Sequence, residues 1–368
     1  MGIHHRPLLP EMKPGRLLRL ASAACLLAAA CSIGTAQLPL SLAGELGAEL
    51  TDAEGVTWWR YDPKTGKKTW EVSTKKATPS ADGKTCLIAE PKMLIRGSEY
   101  DVNVSSDTGT MTREDEKNNA FKLAGNVLVK MADPYKTVLT TDAIEWVPST
   151  RTLQSGSPVE VKRTDLAVSG VGLEIEPENQ GKGMRLVRLK KNVKATITPA
   201  ASKSALFPAI GGTADKLPKD DAPMVIVCQG PMAINRDSST VSFTDKVEVR
   251  RGTFSINCNY LELTLDPNTK KVPDTKQVKE IRCTGDVNAF DGANGASGDT
   301  LSWDALSGLA EVTGSKDRPA KTWRGSASVT APIIWISQKD RRVLWSGRAH
   351  LFAPAEGAGK LFRFGGGN

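Results

Sequence analysis

The chain has 368 residues and a formal charge of +8, a length that suggests roughly two domains of ordinary size. Its charges are interspersed, which excludes a nucleic-acid-binding arm. Of its three histidines, two stand at positions 4 and 5, so His350 alone remains for histidine chemistry in the body.

The first element is a targeting segment. A basic lead ends at Arg19, and an uncharged run of fourteen residues follows from Leu20 to Ile33. That matches a signal h-region of about 7–15 residues and falls short of the roughly 20 a helix needs to span a bilayer. Gly34-Thr35-Ala36 supplies small residues for cleavage before Gln37. Adding Leu17 and Leu18 makes an uncleaved anchor, and Leu27-Ala28-Ala29-Ala30-Cys31 loosely matches a lipoprotein box. All three fates of residues 1–36 place the body outside the cytoplasm. Without Arg6, Lys13, Arg16, Arg19 and Glu11 the surplus is five positive charges, which suits an anionic partner without demanding one.

From Glu54 the sequence becomes short strands bounded by turn residues. Val56 to Tyr61 and Thr69 to Val72 flank Asp62-Pro63-Lys64-Thr65-Gly66, a hairpin of β-branched and aromatic residues around a Pro/Gly turn. A unit then recurs: a strand carrying an apolar-x-Trp or apolar-x-apolar motif, a polar turn, and a second strand closing on glycine. Ile144-x-Trp146 leads to Gly156, Leu261-x-Leu263 to Gly285, Leu301-x-Trp303 to Gly314, and Ile333-x-Trp335 to Gly347. Glycine followed two residues on by valine, at Gly125-x-Val127 and Gly285-x-Val287, reads as the start of a strand. No stretch after residue 40 keeps helical apolar spacing for three turns. Between Thr198 and Pro223 the alternation stops, which predicts a linker over 198–222 between two similar modules, 54–197 and 223–353. A Gly/Ala-rich tail occupies 354–368.

The ordered motifs resemble the lipopolysaccharide-transport bridge proteins of the LptC and LptA/OstA families. Residues 54–197 are similar to an LptC-type domain in the Trp58-Trp59 hairpin, in Leu123-Ala124-Gly125-Asn126-Val127, and in the strand from Leu139 to Trp146. Met224 to Phe352 is similar to an OstA unit, notably at Val225–Gly230, Ala289–Asp291 and Ala296–Trp303. The resemblance implies an all-β fold, a twisted, open β-jellyroll whose groove shields acyl chains. It implies lipopolysaccharide or a related glycolipid as cargo. It also implies docking by strand-edge pairing to an inner-membrane transporter and an outer-membrane assembly protein, with no nucleic-acid partner.

Side chains alternate along a strand. That alternation predicts inner rows at Val127, Val129, Ile144, Trp146, Leu261, Leu263, Leu301, Trp303, Ile333 and Trp335, lining either a groove or an ordinary core. Cys228 and Cys283 each precede a strand glycine by two residues and share a parity, which predicts an inward-facing Cys228–Cys283 bridge. Cys258, of opposite parity to Leu261, is expected to face out. With no CxxC, no metal site is expected, and no cofactor. Asp142, Glu145, Asp299 and Asp304 sit near strand ends where turn residues normally lie, so the chain reads as non-enzymatic. A structural repeat protein without lipid and a carbohydrate-acting enzyme stand as alternatives. Cell fractionation is expected to find the chain outside the cytosol, and full-length protein in the cytosol would overturn the targeting reading.

Overall fold

A strand that must serve two sheets has to turn a corner, and the residues that allow the corner set this architecture. The computed structural model describes residues 53–61, 66, 68–81, 83–96, 100–113, 119–147, 150, 152–177, 184–198, 222–265, 278–337 and 342–353. The leader, nearly all of the predicted linker, the 266–277 insertion and the tail lie outside them.

The described residues are all-β. The first strands are β1 (Ala53–Tyr61), β2 (Lys68–Pro79), β3 (Thr85–Ala89), β4 (Lys92–Ile95), β5 (Val102–Ser105) and β6 (Thr108–Arg113). Longer ones follow: β7 (Asn119–Met131), β8 (Val138–Val147), β9 (Thr152–Lys162), β10 (Leu166–Pro177) and β11 (Met184–Ile197). Next come β12 (Met224–Cys228), β13 (Met232–Asn235), β14 (Thr240–Arg251), β15 (Phe254–Leu265), β16 (Val278–Asp291) and β17 (Asn294–Asp304). The series ends with β18 (Leu309–Thr313), β19 (Ala320–Arg324), β20 (Ala327–Ala331), β21 (Ile333–Ser337), β22 (Arg342–Ser346) and β23 (His350–Phe352).

All pairings are antiparallel and follow chain order, so the sheet is a meander. Each crossing of the meander passes a crease and contributes one half to each of two half-sheets. Six crossings are interrupted there into two short strands, as in β3/β4 and β12/β13, so the twenty-three strands make seventeen crossings. At about 4.8 Å per strand these stack to roughly 75 Å. The hairpins β8–β9, β17–β18 and β21–β22 are those of the repeated sequence unit.

The crease explains the glycines. Gly125 and Gly285 lie in the middle of β7 and β16 rather than at strand starts, with φ of 77° and 76°. A left-handed residue inserts an extra position at the corner and shifts the register, as between Ala124 and Val127. Asn126, Asn192, Asp245, Lys246 and Asp286 take the same conformation on the same line. Backbone bonds run along the crease from Asp107 N–H to Gly125 C=O (2.8 Å), Asn192 to Gln229 (3.0 Å) and Gln229 to Asp245 (2.9 Å).

Strands cross the corner in two ways. In β7, β11, β14 and β16 the inward residues step by four, as from Leu123 to Val127 or Cys283 to Val287, and a left-handed residue absorbs the surplus. In β8, β15 and β17 they step by three, as from Thr141 to Ile144, Cys258 to Leu261 and Gly298 to Leu301, so parity reverses at the crease. Strict alternation holds only within each half-strand.

Across the predicted linker the sheet does not stop. β11 pairs with β12 (Val193 opposite Cys228) and with β13 (Leu189 opposite Met232). One hydrophobic cluster runs from Val72 to Ile336 on both sides of that junction. Segment 198–222 therefore joins two hydrogen-bonded neighbours.

Two crease glycines separate the effects of conformation and space. A Cβ at Gly125 would stand 2.5 Å from Asp107 Oδ2, which accepts from Asn126 Nδ2 at 2.8 Å, and would also be left-handed. Gly156 has open space and an ordinary φ. Urea unfolding is expected to show Gly125→Ala destabilised by about 1–3 kcal/mol. Gly156→Ala should be neutral or stabilised by up to about 1 kcal/mol. Equal effects at the two positions would contradict the corner's role.

Candidate functional site

Inward residues of successive crossings meet in cross-strand rows. In the first half-sheet one row passes through Met111, Phe121, Trp146, Leu153, Ile175, Val187, Ile234, Val241, Leu263, Ile281, Trp303, Ala310, Ile336 and Val343. A second, nearer the crease, carries Leu123, Ile144, Leu173, Leu189, Met232, Phe243, Leu261, Cys283, Leu301, Val312, Ile334 and Trp345. The other half-sheet has its own row. It runs Val72, Met93, Val104, Val129, Leu139, Val161, Val168, Ala195, Ile226, Val249, Ile256, Ala289, Ala296, Thr322 and Val329. Thr322 is the polar member, and its hydroxyl donates to the Gly295 carbonyl (3.0 Å).

The turns between described strands join neighbours within one half-sheet, and only the crease joins the two half-sheets. The side opposite the crease is thus a mouth without covalent closure. Larger, partly buried side chains stand near the strand ends there: Phe121, Leu265 and Trp303 on one half-sheet, Tyr100, Ile197 and Phe254 on the other.

Of the predicted inner residues, Val127, Val129, Ile144, Trp146, Leu261, Leu263 and Leu301 are buried and face the interior, and Trp303 packs against it partly buried. Ile333 and Trp335 do not. Their neighbours Ile334 and Ile336 are buried instead, because Pro332 sits at the crease and the inward residues step by three from Ala331 to Ile334. Trp335 lies on the outer face, its Nε1 donating to Glu311 Oε2 at 2.6 Å. Trp303, by contrast, holds its Nε1 out of reach of solvent with no acceptor of the protein at hand. An orphaned donor of that kind costs about 1–3 kcal/mol.

The cysteine prediction needs correcting too. All four described cysteines are buried, free thiols. Cys258 faces in, because parity reverses between it and Leu261, and its partner is Cys283 on the adjacent strand rather than solvent. Cys228, on β12, is separated from Cys283 by β14 and β15, so no Cys228–Cys283 bridge forms. The hydrogen bond shared with Cys258 and burial hold the Cys283 thiol well above its ordinary range, while burial raises Cys228 and Cys86.

One polar cluster was not legible in sequence. Arg163, its side chain fully buried, places its Nε 3.1 Å from Asp165 Oδ1 and its guanidinium 4.4 Å from the Tyr135 ring centre. Burial lowers its pKa, against the raising fields of Asp165 and Asp133. Asp133 accepts from Thr137 N (2.8 Å) and Oγ1 (2.6 Å) within the β7–β8 turn, and the Arg163–Tyr135 contact with the Thr164 N–H to Tyr135 carbonyl bond (3.1 Å) clamps that turn to the β9–β10 turn. Only spacing within two separate turns encoded it.

Of the carboxylates expected near strand ends, Asp304 alone behaves as a turn residue, while Asp142 and Glu145 lie within β8 and Asp299 within β17. Asp304 accepts from Ser307 N (2.7 Å) and Oγ (2.6 Å), bonds that lower its pKa. Asp142 and Glu145 are exposed. Among the described residues no three metal-ligating side chains cluster, and no helix is long and apolar enough to cross a membrane. A depression of about 600 Å³ at the crease has a lining more apolar than polar, in which Val127, Leu128, Pro158 and Val159 stand beside Asp142 and Glu160.

Residues 52–198 match the family model described as lipopolysaccharide-assembly, LptC-related. The matched segment begins beside β1 and ends just after β11. Among solved structures, the chain is similar to LptH of Pseudomonas aeruginosa. That protein is described as the LptA homologous periplasmic component of the conserved lipopolysaccharide transport device. The likeness has 12% identity and a TM-score of 0.30, covering 36% of this chain and 96% of that one. No curated protein matches.

Peptide mapping under non-reducing conditions is expected to find no Cys228–Cys283 linkage. Thiol reagents should reach Cys86, Cys228, Cys258 and Cys283 only after denaturation, since each is buried in the core. Fast labelling of the folded protein, or a mapped Cys228–Cys283 peptide, would contradict this placement.

Proposed function

We propose that this protein is a non-enzymatic periplasmic carrier in lipopolysaccharide transport towards the outer membrane, holding acyl chains between its two half-sheets. The observation that carries the reading is the set of largely apolar rows, interrupted by Thr322 and by Ser155 of β9, that cross successive strands from the LptC-related segment to the far end of the described residues and are closed covalently only at the crease. The inward rows of both half-sheets are mostly Val, Leu, Ile and Ala, so parting the half-sheets would expose the kind of surface that an acyl chain covers again at about 0.8 kcal/mol per buried CH₂. Opening and filling then nearly balance, which suits a carrier that must also release its load. The continuous β11–β12 junction lets one polypeptide present a single groove along its whole stack.

The ends of the sheet fit docking to other transport components. Among the described residues β1 pairs only with β2, β22 only with β21, and β23 only with β20. These free edges carry exposed apolar groups, Trp59 and Tyr61 at one end and Leu344, Leu351 and Phe352 at the other. An unpaired edge beside such groups is a template for strand addition by a neighbouring β-module.

Photo-cross-linking tests the groove. A photoreactive residue at Phe121 or Trp303, partly buried at the mouth, is expected to capture lipopolysaccharide, whereas Lys122 and Lys321 on the outer face should not. Leu263→Glu places an unpaired charge in the row and should abolish capture while thermal unfolding reports whether the fold survives. Equal capture from both faces, or none by a folded protein, would leave the rows as ordinary core.

A further inference from the structure

We propose that the Trp303 indole Nε1–H binds the carbonyl oxygen of an acyl ester or amide, fixing how far a lipid chain enters the groove; this rests on the carrier reading above. Trp303 is the last inward residue of β17 before the exposed turn at 305–307, so it stands at the mouth. Two residues deeper, Leu301 is closed off beside Cys283 and Val312. Trp303's cross-strand neighbours are Ile281 and Ala310, both buried and without a side-chain acceptor. The backbone carbonyls around it are engaged in the sheet ladder, and its Nε1 is out of reach of water.

A donor kept dry among hydrocarbon at the rim of an apolar slot matches one part of an acylated lipid. A chain lying against Leu301 and Cys283 with its tail towards the crease brings its first polar atom, the carbonyl oxygen, to the mouth. Trp335, two strand pairings away on the outer face, already satisfies its Nε1 with Glu311 and has no such need.

The test compares two probes of equal chain length, a myristoyl monoglyceride and its tetradecyl ether, which lacks the carbonyl. Calorimetric titration of the full chain is expected to give about three- to tenfold tighter binding of the ester, the range of one neutral hydrogen bond. Trp303→Phe keeps the ring and removes the donor, and should bring the ester to the affinity of the ether. Equal affinities in the unaltered protein would overturn the carbonyl contact while leaving the carrier reading intact. An ester preference that persists in Trp303→Phe would assign recognition to another group and overturn it as well. Binding of neither probe would overturn the carrier reading, and this inference with it. The ester–ether comparison needs no variant, so a misfolded Trp303→Phe would not remove the test.

Discussion

The interaction on which the rest of the structure depends is the corner each strand turns at the crease. A pleated strand presents one face to a core, and it can serve two facing half-sheets only if its inward side stays inward past the bend. Gly125 and Gly285 achieve this through left-handed backbone that L side chains adopt at a cost. β8, β15 and β17 achieve it by reversing parity instead. Because every neighbour makes the same turn at the same height, the corners line up and the interior becomes one slot running the length of the stack.

That arrangement separates strength from compliance. Within each half-sheet the backbone ladder is continuous, and buried side chains such as Leu139, Ile175, Leu261 and Ile281 lock adjacent strands. Between the half-sheets the described residues form no strand pairing except at the crease. Loss of a buried leucine in such a core costs about 2–5 kcal/mol through cavity formation. A ligand that fills the space it opens avoids that cost. The polar clamp of Arg163, Asp165 and Asp133 stiffens one end of a half-sheet, and buried charge pairs of this kind act through geometry more than through net stability.

Much of this was legible in sequence, for physical reasons that also mark where legibility ended. Alternation revealed the strands, and the apolar-x-Trp motif located hairpins whose turns are where it placed them. Seven of ten inner positions are buried facing the interior, and Trp303 packs there partly exposed. The failures share a cause. Gly125 and Gly285 read as strand starts because a mid-strand corner uses the same residue as a turn. Cys258 and Trp335 were assigned to the wrong faces because alternation was carried across the crease, where β15 and the β20–β21 crossing step by three. The linker at 198–222 was visible as a change of composition, but composition says nothing about whether the flanking strands pair. The Arg163 clamp joins two turns distant in sequence, and no local pattern announces it.

The central claim is that the half-sheets part at the mouth to admit acyl chains. Spin labels at Leu306→Cys, in the β17–β18 turn of one half-sheet, and Ser326→Cys, in the β19–β20 turn of the other, report that separation directly, because the four native cysteines of the body are buried. Pulsed dipolar measurement with lipopolysaccharide should show a longer distance than the ligand-free protein, returning to the original value when the lipid is extracted. An unchanged distance with lipid demonstrably bound would mean that the interior stays closed and the lipid sits elsewhere.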